Sequence, residues 1–114
     1  MIVTRAEYSR RTPFPIAGAV LVVEVVSPTS VLRDTETKRA LYARAGVPSY
    51  WIVVPAEDKP TLTLAELRLD AASGHYRYAV HYSSEVFETD QPWPLRLDLP
   101  ALSEKRRKLT RSLG

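Results

Sequence analysis

The sequence predicts an α/β fold: a mixed β-sheet with one βαβ crossover, an antiparallel C-terminal hairpin and a terminal helix. Three observations lead there. Ala19–Val26 and Ser49–Val54 are short runs of β-branched, aromatic and small apolar residues, the composition of strands buried on both faces. Residues 34–45 between them have helical spacing and stop at Gly46 and Pro48. Beyond residue 60 the pattern changes to runs of period two separated by turn residues, as antiparallel strands require.

Length and composition set the outer limits. At 114 residues the chain is expected to be one domain, 1–114, with a single core. Hydrophobic residues make up 45% and charged residues 25%, an ordinary globular balance that argues against disorder. No apolar run approaches the roughly 18–20 residues that span a bilayer. The start lacks the basic, apolar and small-residue order of a signal peptide, so a cytoplasmic location is expected. With no cysteine, disulfides and thiolate zinc sites are excluded. A net charge of +3 permits a polyanionic partner without demanding one.

The elements follow in order. Met1–Val3 reads as the tail of a strand. Residues 8–15 hold Arg10, Arg11, Pro13 and Pro15, an extended basic loop that is either simply solvated or in contact with phosphates. In the strand 19–26, Glu24 should share a face with Val20, Val22 and Val26, in the driest part of the fold. A carboxylate buried there needs a cation, a hydrogen-bond network or a metal ion, because leaving it unpaired costs several kcal/mol. Ser27-Pro28-Thr29-Ser30 ends the strand in a turn.

Asp34 is the expected helix N-cap, and Gly46 and Val47 suit a left-handed C-cap with its apolar contact. Lys38, Leu41, Tyr42 and Ala45 share one helical face, while Arg39 and Arg44 point elsewhere. A lysine on the inward face is unusual; a snorkelling stem or an ion pair with Asp34 would also explain it. The strands on either side of the helix are expected to be parallel neighbours, which brings Lys38 toward Glu24. In 61–69 the alternation changes phase near Ala65, which suggests a bulge or a twisted edge. Residues 70–74 form a turn. Tyr76, Tyr78, Val80 and Tyr82 then line one face of a strand, as core packing or as a base-stacking row. Two short strands, 86–89 and 95–99, precede a helix over 101–113 that carries Lys105, Arg106, Arg107, Lys108 and Arg111. That basic cluster reads as a solvated face or a DNA contact.

Several chemistries are excluded. No Gly-rich phosphate loop follows a strand. His75 and His81 have no ligand-spaced partners, and Ser27 has no histidine base nearby in the pattern. What remains is a carboxylate and an amine across a crossover. Such a pair serves metal-dependent phosphodiester hydrolysis, with Glu24 as the ligand of Mg²⁺ or Mn²⁺ and Lys38 orienting water or balancing phosphate charge. It serves equally as a salt bridge with no catalytic role.

At this point the residues resemble a family. Val22-Val23-Glu24-Val25-Val26-Ser27-Pro28, then Asp34 and Lys38, then the run Leu41 to Val53 (LYARAGVPSYWIV), is similar to the bacterial restriction endonuclease family within the PD-(D/E)xK, or restriction-endonuclease-like, nuclease superfamily. The close match covers residues 20–54. The resemblance implies a restriction-endonuclease-like core, a Mg²⁺- or Mn²⁺-dependent site cleaving DNA, and a homodimer, with neither membrane nor small-molecule cofactor involved. It implies catalytic roles for Glu24 and Lys38, with Glu24 as the metal ligand. The superfamily's usual lysine two residues after the Glu is absent, since Val26 stands there, and Lys38 takes its place from the helix. The superfamily's first acid, an Asp on a preceding strand, has no counterpart before Glu24, so the expectation is an N-terminally truncated nuclease domain that lacks this metal ligand, and the resemblance does not carry the family's activity over to the chain as given. The alternative is a non-catalytic DNA-binding or oligomerisation module that keeps the fold.

Overall fold

The computed structural model describes residues 2–4 and 18–113. The elements are β1 (Ile2–Thr4), β2 (Ala19–Val25), α1 (Val31–Arg44), β3 (Ser49–Pro55), β4 (Leu62–Asp70), β5 (His75–Ser83), β6 (Val86–Thr89), β7 (Leu95–Asp98) and α2 (Leu99–Leu113). Strands β1 to β5 form one sheet in that spatial order, and β6 and β7 pair as a separate ribbon. In the sheet β2 and β3 are parallel, while the other neighbours are antiparallel. A parallel pair needs a crossover connection, and α1 supplies it. The expected mixed α/β architecture is therefore observed. Arg10 and Arg11 lie outside the described residues.

Alternation along β3 divides the core into two layers. Tyr50 and Ile52 pack with Val22, Val26, Ala65 and Leu67 under Tyr42 of α1. Trp51 points the opposite way, into a cluster with Leu21, Leu64, Phe87 of β6 and Leu99 of α2. Val20, expected beside Val22, packs against this second cluster instead.

Helix α1 differs from expectation at its start and matches it at its end. The Ser30 N–H bonds the Ser27 carbonyl at 3.1 Å, so the turn after Pro28 runs straight into a helix that begins at Val31. Ser30 is the N-cap, and Asp34 lies inside the helix. At the other end Gly46 has φ +77°, its N–H bonds Ala43 O at 3.0 Å, and the Val47 N–H bonds Tyr42 O at 3.1 Å. This is the paired closure of a Schellman motif, and the positive φ explains the glycine. The inward face is centred on Thr35, Lys38, Arg39 and Tyr42, which leaves Leu41 52% exposed. Arg39, expected to point away, reaches across to β5 and donates a hydrogen bond to Tyr78.

The irregularity near Ala65 lies in the pairing of β4 with β5 rather than in β4 itself. Glu66 faces Val80 and Leu67 faces Tyr78, so Ala79 of β5 is one extra residue, and between the Leu64–Ser83 and Glu66–Val80 pairs His81 and Tyr82 together oppose Ala65 alone. β4 is an interior strand covered on both faces, which is why Leu64, Ala65, Glu66 and Leu67 are all buried. The bulge also divides the tyrosine row. Tyr76 and Tyr78 pack against the α1 layer, Val80 turns to the opposite layer, and Tyr82 is 41% exposed. In α2, Arg106 donates to the carbonyls of Ala56 and Lys59 at 2.9 and 3.0 Å, so this member of the basic cluster ties the helix to the β3–β4 connection.

Candidate active site

Glu24 stands near the C-terminal end of β2, opposite Ile52 of β3. The buried character of this strand fades along its length, and Val25 is 69% exposed. Glu24 is thus not in the driest part of the fold. Its side chain keeps 21% of its surface, at the end of the sheet where water reaches it.

Lys38 and Tyr42, one helical turn apart on α1, both reach this carboxylate. Lys38 Nζ lies 3.2 Å from Oε2, and the Tyr42 hydroxyl donates to Oε1. The pairing across the crossover is therefore as the strand–helix–strand reading required. Asp34, which was the other candidate partner for Lys38, has a side chain outside the described residues.

The electrostatics follow from these contacts. Burial alone pushes the Glu24 carboxyl upward, but the hydrogen bonds from Tyr42 and Lys38 and the lysine charge outweigh it and hold it below the ordinary carboxylate value. Glu24 is consequently an anion at neutral pH. The Tyr42 phenol moves the other way, raised by burial and then by its bond to the carboxylate. Behind them, the fully buried Tyr50 packs edge-on to Tyr42 at 5.1 Å, and its hydroxyl has no hydrogen-bond partner among the described residues. Burial and the Glu24 charge both hold that hydroxyl neutral.

Chemically, this is one hard oxygen donor beside one ammonium group. The carboxylate suits Mg²⁺ or Mn²⁺, and the amine suits a phosphate oxygen or a water molecule. Among the described residues, however, no three acids or histidines gather in one place. Both Glu24 oxygens are also already engaged. The described residues thus offer one ligand of a cation site and not a full octahedral set.

Two residues of interest escaped sequence reasoning. Tyr42 read as part of an apolar stripe, although its hydroxyl is what fixes Glu24. Glu66 was not distinguished within 61–69, yet it is wholly buried in the second layer. Arg68 Nη2 lies 3.4 Å from Glu66 Oε1, and the Thr89 hydroxyl donates to Oε2. The available signal was Glu66 flanked by Ala65 and Leu67 in a strand without a solvent face.

Comparison with known proteins bears on this geometry. A family model described as "Uma2: Putative restriction endonuclease" matches residues 1–109. The chain belongs to this family. Uma2 membership extends the resemblance beyond residues 20–54 to most of the sequence and agrees with the α/β sheet and crossover seen here. It places the chain among restriction-endonuclease-like proteins, for which nuclease activity is the suggested function. No curated protein matches the chain. No helix among the described residues is long and apolar enough to cross a membrane.

Proposed function

We propose that the chain is a metal-dependent endonuclease domain that hydrolyses DNA phosphodiester bonds at Glu24 and Lys38. The observation carrying this reading is the 3.2 Å contact between Lys38 Nζ and Glu24 Oε2, made across a crossover in a chain of a restriction endonuclease family. Glu24 would supply one oxygen to Mg²⁺ or Mn²⁺, and further oxygen donors are needed to complete the set. When bound, such an ion lowers the pKa of an attacking water and neutralises phosphate charge. Tyr42 holds Glu24 in one orientation throughout. Lys38, 42% exposed, changes partner from the carboxylate to the incoming phosphate, where an ammonium group stabilises developing negative charge. A homodimer acting on the two DNA strands belongs to the same proposal.

One observation favours a second reading. Both Glu24 oxygens are satisfied within the chain, as they would be in a non-catalytic DNA-binding or oligomerisation module that retains the nuclease fold. Nicking of supercoiled plasmid separates the two. The nuclease reading predicts conversion to open circles in Mg²⁺ or Mn²⁺, none in EDTA, and loss of conversion in both Glu24→Gln and Lys38→Ala. Cleavage unchanged in both variants rejects the site, and absence of cleavage in either metal favours the module.

A further inference from the structure

Beyond the bulge at Ala79, β5 presents His81 and Tyr82 on the surface next to α1. His81 stacks on Tyr78 with centroids 4.5 Å apart and planes at 23°, while the Tyr82 ring lies 6.3 Å from the same tyrosine. The Arg39 guanidinium sits 5.0 Å from the Tyr78 ring centroid and donates to the Tyr78 hydroxyl. Core packing accounts for Tyr76 and Tyr78, which contact the buried cluster. It does not account for His81, which is exposed, or for Tyr82, which is 41% exposed.

The position of this cluster relative to Glu24 is fixed by register. Glu24 faces Ile52, Ile52 faces Ala65, and Ala65 lies between the Leu64–Ser83 and Glu66–Val80 pairs, level with His81 and Tyr82. Three strand spacings separate the two ends of this row, about 14 Å. Lys38 and Arg39, adjacent on α1, place one cation at each end. About 14 Å is the length of roughly four stacked nucleotide steps of one strand.

We propose that Arg39, His81 and Tyr82 form a subsite for an unpaired nucleotide of a single-stranded nucleic acid. This places its occupant on the same strand that enters the Glu24–Lys38 site, and in that respect it rests on the nuclease reading. The guanidinium holds a phosphate, and the outer faces of His81 and Tyr82 receive a base. Aromatic rings accept any base because each has a π-face, whereas a duplex keeps its base faces stacked inside and exposes only phosphates, sugars and groove edges. Charge complementarity selects the occupant: a cation beside exposed rings suits a polynucleotide strand better than an apolar peptide.

The test is fluorescence anisotropy with a labelled oligothymidylate and a blunt hairpin duplex of equal charge, in EDTA so that no cleavage occurs. Wild type should prefer the single strand. Tyr82→Ala and His81→Ala should each weaken single-strand binding roughly five-fold or more and leave duplex binding within two-fold. Arg77→Ala, which removes an exposed charge elsewhere on β5, should leave the preference unchanged. Plasmid nicking by wild type in Mg²⁺ is scored separately, so that failure of the nuclease reading (no nicking) is distinguished from failure of this subsite (no single-strand preference). Equal affinity of wild type and both ring variants for the single strand overturns the proposal, as does an equal loss for strand and duplex.

Discussion

Glu24 and Glu66 are two carboxylates on opposite faces of one sheet, and each is paired with a basic residue. Glu66 is fully buried at the middle of an interior strand, held by Arg68 and Thr89. Glu24 is at the open end of β2, 21% exposed, with a partner that is 42% exposed. The depth of the first allows only a structural role: its ion pair neutralises a charge that the second core layer could not otherwise hold. The accessibility of the second leaves room for its partner to be exchanged. Depth alone is therefore a poor guide to the functional acid; the acid with a route to solvent and a movable cation is the candidate.

Removing one partner from each pair sharpens the contrast. Arg68→Ala strands a buried carboxylate and should lower unfolding stability by about 3 kcal/mol in urea titrations. Adding Glu66→Leu to that variant should recover part of the loss, because the buried charge is then gone. A loss below about 0.5 kcal/mol for Arg68→Ala, the level of an exposed pair, would erase the distinction between the two sites.

Tyr42→Phe removes a hydrogen bond to a charged but partly exposed oxygen and should cost about 1 kcal/mol at pH 7. The pH dependence gives a more specific signature. The Glu24 carboxyl is held below its ordinary value of 4.5, so its contribution is complete above that pH and is lost as pH falls through the lower, folded value. Tyr42→Phe raises the folded value toward the ordinary one. The stability gap between wild type and variant should therefore narrow below pH 4.5. A gap independent of pH would mean that the hydroxyl does not act on Glu24.

The last variant tests the helix end, away from both acids. Gly46→Ala meets no atom within 4 Å but must adopt φ +77°. It should cost about 1 kcal/mol from backbone strain alone, and the acid response attributed to Glu24 should stay as in wild type.

Legibility in the sequence followed how local the determinants were. The end of α1 was readable because Gly46, Val47 and Pro48 encode it within three residues. The Glu24–Lys38 contact was readable because a strand, a helix and a strand admit essentially one right-handed crossover, and helical periodicity sets which residues face inward. The helix start was not, since a turn closed by Ser27 and Ser30 competes with Asp34 as the first cap. The burial of Glu66 and the splitting of the tyrosine row depend on which strands flank β4 and on two extra residues in β5. Both are set by non-local pairing that period-two alternation does not carry.

The most direct test of the account sets the two acids against each other in one assay. Plasmid nicking in Mg²⁺ or Mn²⁺ is measured for wild type, Glu24→Gln and Glu66→Gln, each normalised to its folded fraction by circular dichroism. The account predicts that Glu24→Gln falls to the EDTA background while folded Glu66→Gln cleaves at close to the wild-type rate. Cleavage retained by Glu24→Gln and lost by fully folded Glu66→Gln would contradict it.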